Sequence, residues 1–273
     1  MFLEACLKGV YNFAHQILIA EGSCPQARFS ARTDGRSSDN TVDLIKNFPD
    51  PDGKITLVAS RAWNHKDDMC NAIVPHITGD ILWQLDLDEF YHPEDIDLVL
   101  SIMEETPDFT AAYFPVYHFW HGFDTVTCEG HWETPFKRIH RFGRGSFWLS
   151  HEPPVLADVN GIPWESKGRT INFGDYGVWL HHYSYVTEEQ ARWKAQFFLN
   201  YVPNAPTEEE SDRVGMTRDW FERVWLAWES DPKGVEERYG TTPGIRAGKT
   251  KPFTGEHPPV IREHSLYKQL RGL

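Results

Sequence analysis

Residues 1–105 alternate between helical and strand-like patterns, and this alternation strongly limits the folds open to the chain. Segments with helical periodicity are separated by short apolar runs typical of buried strands. The predicted strands are 16–20, 54–58 and 81–86, and the predicted helices are 2–11, 39–47, 66–76 and 93–105. Strands that alternate with helices usually form a parallel sheet covered by helices on both faces. The sequence therefore predicts an α/β fold.

The second half of the chain has a different pattern, in which strands are separated by long loops. The predicted strands are 110–119, 134–141, 147–149 and 177–185. This irregular spacing indicates a mixed sheet. Thr187 and Gln190 then form a capping box that opens a helix ending near residue 201. The remaining predicted elements are helices from Thr207 and over 219–229 and a basic, Pro/Gly-rich tail over 240–273.

The net charge of −13 over 273 residues excludes one class of function. Proteins held on nucleic acid by phosphate contacts need basic surfaces, so we expect no nucleic-acid partner. A nucleotide substrate stays compatible, because a divalent cation can bridge acidic side chains and phosphates. No apolar stretch approaches the ~18 residues of a transmembrane helix, and no signal peptide is visible. We therefore expect a cytoplasmic protein with no transmembrane segment.

An apolar run over 81–85 ends in two aspartates, Asp86 and Asp88, spaced one residue apart. In open α/β sheets, ligands bind beyond the carboxyl ends of the strands, which is where this pair would lie. Asp86, Asp88 and Glu89 repel one another unless solvent or a cation neutralises them. Hard oxygen ligands on a short segment suit Mg²⁺ or Mn²⁺ holding a diphosphate. The alternative is a solvated acidic turn before a capped helix.

Asp86 and Asp88 form an Asp-x-Asp (DxD) motif. Together with the alternating first half and the mixed second half of the chain, this motif resembles family 2 glycosyltransferases of the GT-A fold. The likeness covers about residues 1–200. Its matching segments are 17–22, where a strand ends in an acidic residue, 34–41, 66–72, 78–80, and 182–186 with the following Gln190 and Lys194. The resemblance implies a mostly parallel sheet flanked by helices, a mixed-sheet second half and a C-terminal helical extension.

The same resemblance implies a division of the chain. We expect a GT-A-like catalytic domain over 1–186, with a nucleotide-binding half over 1–105 and an acceptor half over 106–186. A helical extension and basic tail follow over 187–273. Two departures from the family pattern stand out. Glu21 is a single acid where many members have paired aspartates, and the strand expected before the first helix is absent from the sequence, which favours a truncated chain or an internal start.

Roles for the matching residues follow from the chemistry of a departing diphosphate, whose developing charge needs a cation or basic groups. Asp88 is the predicted direct ligand of Mn²⁺ or Mg²⁺, and Asp86 is placed toward the ribose or a metal-bound water. His182 is a predicted second metal ligand; a core histidine bonded to backbone is the alternative. Lys66 is predicted to neutralise a phosphate, although a solvated lysine explains it equally well. Glu21 and Asp39 complete the predicted nucleotide-binding residues.

Inverting transfer, which the resemblance implies, also needs a general base that deprotonates the acceptor hydroxyl. The carboxylates available in the second half are Glu133, Glu152, Asp158, Glu165 and Asp175. We select Glu152, because it follows a short strand and precedes two prolines that would fix its backbone; a solvated loop carboxylate is the alternative. Three arginines close by, Arg138, Arg141 and Arg144, are either a grip for an anionic ligand or ordinary surface charge.

The leading hypothesis is thus a metal-dependent, inverting glycosyltransferase. It would move a sugar from a nucleotide-diphosphate donor to a glycan, lipid-linked or small-molecule acceptor. A non-catalytic GT-A-like module that binds glycan or nucleotide is the alternative. A metal-dependent phosphoester hydrolase is disfavoured, because the sequence shows no His/Asp cluster suited to two metals.

Overall fold

The structure, a computed structural model, describes residues 1–200, 219–239 and 249–273. Its elements through residue 105 are α1 (Leu3–Val10), β1 (Ile17–Glu21), α2 (Thr41–Asn47), β2 (Ile55–Ser60), α3 (Lys66–Ile73), β3 (Ile81–Trp83), β4 (Glu89–Phe90) and α4 (Pro93–Glu105). Each predicted helix and strand of this half is present. Helix α4 has the predicted bounds, because Pro93 suits the first helical turn and Glu94 and Asp95 suit its positive end.

The next strands are β5 (Phe109–Phe114), β6 (Val116–Trp120), β7 (Thr125–Cys128), β8 (Phe136–Arg141), β9 (Phe147–His151), β10 (Pro154–Ala157), β11 (Arg169–Asn172) and β12 (Leu180–Tyr185). The predicted strand 110–119 is therefore two strands. Pro115 separates them, since proline has no N–H for a sheet ladder. Short 3₁₀ helices are Pro25–Ser30, Val74–His76, Gly130–Glu133, Trp164–Ser166 and Phe173–Tyr176.

The C-terminal part begins with α5 (Glu188–Leu199). A π-helical segment, Phe221–Leu226, continues as α6 (Ala227–Ser230), followed by α7 (Pro232–Tyr239), β13 (Lys249–Pro252), α8 (Pro259–Arg262) and α9 (Ser265–Arg271). The tail predicted over 240–273 thus contains a strand and two short helices from residue 249 onward. The helix predicted from Thr207 lies outside the described residues.

The chain divides into two compact units. Unit 1 comprises Met1–Pro115 and Pro135–Trp179, and unit 2 comprises Val116–Thr134 and Leu180–Leu273. These units are defined by packing, and the functional boundary expected at residue 186 stays a prediction.

Unit 1 contains the expected parallel pair, in which β1 and β2 run side by side from Ile17 opposite Ile55. A mixed sheet has the strand order β11-β5-β8-β3, with β11 parallel to β5 and the other pairs antiparallel. Strand β3 therefore pairs with β8, a strand of the second half, and local periodicity could not reveal this partner. Apolar residues of α1, α2, β1 and β2 form one core cluster: Leu3, Leu7, Ile17, Ile19, Ile45, Ile55 and Leu57.

Unit 2 is built on the strand series β13-β7-β6-β12, in which β12 is parallel to β6 and the other pairs are antiparallel. Its core is rich in aromatic side chains from the strands and helices. The buried aromatic members are Trp120, Trp132, Tyr185, Phe198, Trp220, Phe221 and Trp225. The α/β architecture with a mixed-sheet second half and C-terminal helices agrees with the sequence prediction. Among the described residues, no helix combines the length and apolar character needed to cross a bilayer.

The predicted capping box is present at the start of α5. The hydroxyl of Thr187 accepts the N–H of Gln190 at 3.3 Å, and the side-chain Oε1 of Gln190 accepts the N–H of Thr187 at 3.2 Å. We expect Thr187→Ala to lower the free energy of unfolding by about 1 kcal/mol, measured by urea denaturation. Thr187→Ser keeps the hydroxyl and should unfold like the parent chain. Equal destabilisation by the two changes would contradict a role for the cap.

Candidate active site

The DxD pair lies in a tight turn directly after β3. The strand ends at Trp83, earlier than predicted, and the N–H of Glu89 donates to the carbonyl of Asp86 at 3.1 Å. Gln84 still extends the contact with β8, because its N–H donates to the Arg138 carbonyl at 2.7 Å. Asp86 and Asp88 are both partly exposed, whereas Glu89 is fully buried. The turn therefore presents two carboxylates and buries the third.

Arg138, which lies on β8, forms hydrogen bonds to two acidic residues of this turn. Its Nε donates to Glu89 Oε2 at 2.7 Å, its Nη2 donates to the other Glu89 oxygen, and Nη2 also reaches Asp86 Oδ2 at 3.2 Å. Arg141 pairs instead with Asp80, at 3.0 Å between Nη1 and Oδ2. Arg138 is not a surface charge, because it is buried and joins the DxD turn to the sheet; a grip on an anionic ligand stays a prediction.

Burial dominates the electrostatics of Glu89. It raises the pKa of this carboxyl to about 7; the Arg138 charge opposes the shift, and Asp86 and Asp88 add to it. Like charges on one turn disfavour ionisation of the member that has lost its water. Asp86 and Asp88 are therefore the two carboxylates of the turn that remain accessible to a ligand.

Lys66, the first residue of α3, lies within electrostatic reach of two other predicted site residues. The charge of Asp86 raises the pKa of Lys66 against the opposing effect of burial, and Glu152 contributes in the same direction. Sequence alone left Lys66 equally compatible with a solvated role. Within unit 1, the charges of a DxD carboxylate and of the predicted base therefore both act on the Lys66 ammonium group.

Glu152 follows β9 at the turn into β10. Its side chain is 57% exposed, so the carboxylate is accessible. Two other candidate bases are committed to ion pairs: Glu165 pairs with Lys137, and the hydrogen bond from Lys167 lowers the pKa of Asp158 to about 2. Such a low pKa makes Asp158 a poor proton acceptor. Among these second-half carboxylates of unit 1, Glu152 and the exposed Asp175 remain suited to base chemistry.

The other two predicted nucleotide-binding residues take part in local hydrogen bonds. Glu21 ends β1 and is buried, and its carboxylate accepts the Ser37 N–H at 2.7 Å and the hydroxyl of Ser60. Asp39 is exposed, and its Oδ1 accepts the N–H of Thr41 at 3.0 Å, at the start of α2. Glu21 thus ties the loop after β1 to the end of β2, and contact of either residue with a nucleotide stays a prediction.

His182, the predicted second metal ligand, belongs to unit 2. It is buried on β12, and its Nδ1 lies 2.8 Å from Nδ1 of His118 on β6. The parallel register of these strands places the two histidines directly opposite each other. Sequence analysis did not single out His118; the pairing of β6 with β12 is the information that was missing. The ligand role of His182 stays a prediction.

Residues 33–157 match the family model of glycosyl transferase family 2. The match covers somewhat less than half of the chain and identifies this segment as similar to glycosyl transferase family 2. The matched segment includes every predicted site residue except Glu21 and His182, and it spans the DxD turn, α3 and the β9–β10 hairpin. The family resemblance found in the sequence is confirmed over this segment, and the α/β class is confirmed by the structure.

Solved structures give more distant similarities to this glycosyltransferase. The mannosyltransferase PcManGT from Pyrobaculum calidifontis, solved in complex with GDP-Man and Mn²⁺, has a TM-score of 0.42 and 13% identity, over 89% of this chain and 73% of that one. TarS 1–349 from S. aureus has a TM-score of 0.37 and 11% identity, over 82% of this chain and 66% of TarS. Its complex with UDP has a TM-score of 0.36, with 65% of that chain covered. No curated protein matches the chain.

Proposed function

We propose that this glycosyltransferase moves a sugar from a nucleotide-diphosphate donor with inversion at the anomeric carbon, assisted by Mn²⁺ or Mg²⁺. The acceptor would be a glycan, a lipid-linked molecule or a small molecule. The observation that carries the proposal is the DxD turn, in which Asp86 and Asp88 stay partly exposed while Arg138 ties the turn to β8. The charge of Asp86 also raises the pKa of Lys66, an ammonium group suited to a donor phosphate.

The donor set of the turn fits a hard divalent cation. Asp88 supplies an accessible carboxylate, and Asp86 lies two residues away on a segment held by Arg138. Mg²⁺ and Mn²⁺ need few protein ligands, because phosphate oxygens and water complete their shells. When bound, such an ion would stabilise the charge that develops on the departing diphosphate. The ligand role predicted for His182 would favour Mn²⁺ over Mg²⁺, because an imidazole nitrogen suits Mn²⁺ better.

The remaining roles belong to side chains of unit 1. Lys66 would place its ammonium group against a donor phosphate. Asp86 would bind the ribose or a metal-bound water, and Glu21 and Asp39 would contact the nucleoside. Glu152 would accept the proton of the acceptor hydroxyl as that oxygen attacks the anomeric carbon on the face opposite the diphosphate. Attack from that face inverts the configuration.

We expect Asp88→Asn to abolish the gain in nucleotide affinity that Mn²⁺ provides, because an amide oxygen lacks the charge of the carboxylate ligand. Calorimetric titration of UDP and GDP, with and without Mn²⁺, measures this gain directly. Asp97→Asn makes the same change on the exposed face of α4 and should leave it intact. Metal-dependent affinity that survives in Asp88→Asn would refute the ligand assignment. Nucleotide binding without turnover of any donor sugar would favour a non-catalytic binding module instead.

A further inference from the structure

A second group of metal-ligating side chains lies at the start of α3. His65 precedes the helix, Asp67 occupies its first turn and His151 ends β9. Asp67 Oδ1 lies 2.6 Å from His151 Nδ1, and Asp67 Oδ2 lies 3.0 Å from His65 Nδ1. One ligand atom from each of the three residues falls within 4.8 Å of the others. All three belong to unit 1, and no role assigned above uses them.

The local framework holds these side chains in place. The N–H of His151 donates to Asp67 Oδ1 at 2.8 Å. One helical turn further on, Asn71 Nδ2 donates to the Trp148 carbonyl at 3.0 Å, and Asn71 Oδ1 accepts the Trp148 N–H at 2.8 Å. Helix α3 and strand β9 are therefore joined by hydrogen bonds at two positions, Asp67 with His151 and Asn71 with Trp148. Ligands on rigid elements bind metal with a smaller loss of conformational entropy.

The protonation states of His151 and Asp67 also suit metal binding. Burial lowers the pKa of His151, so this imidazole is neutral at pH 7. Burial opposes ionisation of Asp67, but the hydrogen bonds from His151 outweigh it and lower the pKa of the Asp67 carboxyl. Neutral imidazole and ionised carboxylate are the forms that bind metal ions. The side chain of His65 is 51% exposed, which gives an ion and its water ligands access from solvent.

We propose that His65, Asp67 and His151 form a binding site for a transition-metal ion such as Zn²⁺ or Co²⁺, with water in the remaining coordination positions. Two imidazole nitrogens and one carboxylate are a typical ligand set for these ions. The DxD turn offers only oxygen and suits harder cations. The ion would exchange the hydrogen bond between Asp67 and the His151 imidazole for metal bonds. It would also fix the β9–β10 turn at the residue before Glu152.

The test is a titration with Co²⁺ alone, followed by its visible d–d absorption, on the full chain carrying Asp88→Asn. That background removes the proposed DxD ligand, so the two metal sites are distinguished. We expect one bound Co²⁺, which Zn²⁺ displaces. Loss of an outer-sphere partner alone weakens metal sites by roughly 10–100-fold, so His65→Asn or Asp67→Asn should weaken binding at least about tenfold.

The variants are chosen so that folding and metal binding are separated. The His65 imidazole caps α3 by accepting the N–H of Asp67 at 3.2 Å, and asparagine is also a good helix cap. His65→Asn therefore removes the imidazole ligand while keeping the cap. Asp68→Asn changes the exposed neighbouring acid and should bind Co²⁺ normally. Absence of Co²⁺ binding, or equal affinity in the His65, Asp67 and Asp68 variants, would overturn the site.

Discussion

Replacing Arg138 with methionine should lower the free energy of unfolding by about 3–5 kcal/mol. Arg138 is buried and forms a two-point contact with Glu89, which has no exposed surface. The variant would leave the Glu89 carboxyl in the interior without its cation, and above about pH 7 the cost of keeping that carboxyl charged, or of protonating it, accounts for most of the loss. Urea denaturation of the parent and variant chains measures the difference.

The loss in free energy of unfolding caused by Arg138→Met should also depend on pH. The pKa of Glu89 is already about 7 in the folded chain, above the ordinary value for glutamate. Removing the Arg138 charge raises it further, so the folded variant binds a proton that the unfolded chain has released. Stability falls with pH wherever the folded state binds more protons. The destabilisation by Arg138→Met should therefore be smaller at pH 5, where Glu89 is protonated, than at pH 8.

Two further variants test this explanation. Arg144→Met removes an exposed arginine near the same strand and should change stability by no more than about 0.5 kcal/mol. The double variant Arg138→Met with Glu89→Met removes both charges and should be more stable than Arg138→Met alone, because no buried charge remains. A loss that is independent of pH, or a double variant less stable than the single one, would show that the ion pair is not the cause.

The elements that sequence predicted well are those determined by neighbouring residues. Pro93 and the acids after it mark the start of α4, and the Thr187–Gln190 box marks the start of α5. Both signals lie within one helical turn. Strand β3 shows the limit of such signals: its apolar run suggested a strand to residue 86, but the turn closed by Asp86 and Glu89 ends it at Trp83.

The candidate site was predictable where its chemistry is carried by one short segment. The DxD pair could be recognised from its own spacing, whereas the function of Arg138 could not. Arg138 meets Glu89 across 49 positions of the chain, and only the pairing of β3 with β8 reveals that contact. The same holds for His118 opposite His182, and for Asp67 with His151. In each case two separate elements supply the partners, and their register is set by packing that one sequence does not display.

Replacing Glu152 with glutamine should lower kcat for sugar transfer by about 10²–10⁴-fold, the usual contribution of a general base. Glutamine has a similar shape but cannot accept the acceptor proton. The Glu152 side chain is mostly exposed and follows β9 on a turn, so the fold should be unaffected. The KM for the donor should also be unchanged, because a loss confined to kcat marks an interaction made only in the transition state.

The matched control for this base is Asp175→Asn, which neutralises the other exposed second-half carboxylate of unit 1. If Glu152 is the base, that variant should transfer sugar at the parent rate. Full activity of Glu152→Gln together with loss of activity in Asp175→Asn would assign the base to Asp175. A rise in donor KM without a fall in kcat would instead place Glu152 in binding, because the proton is transferred only after both substrates are bound.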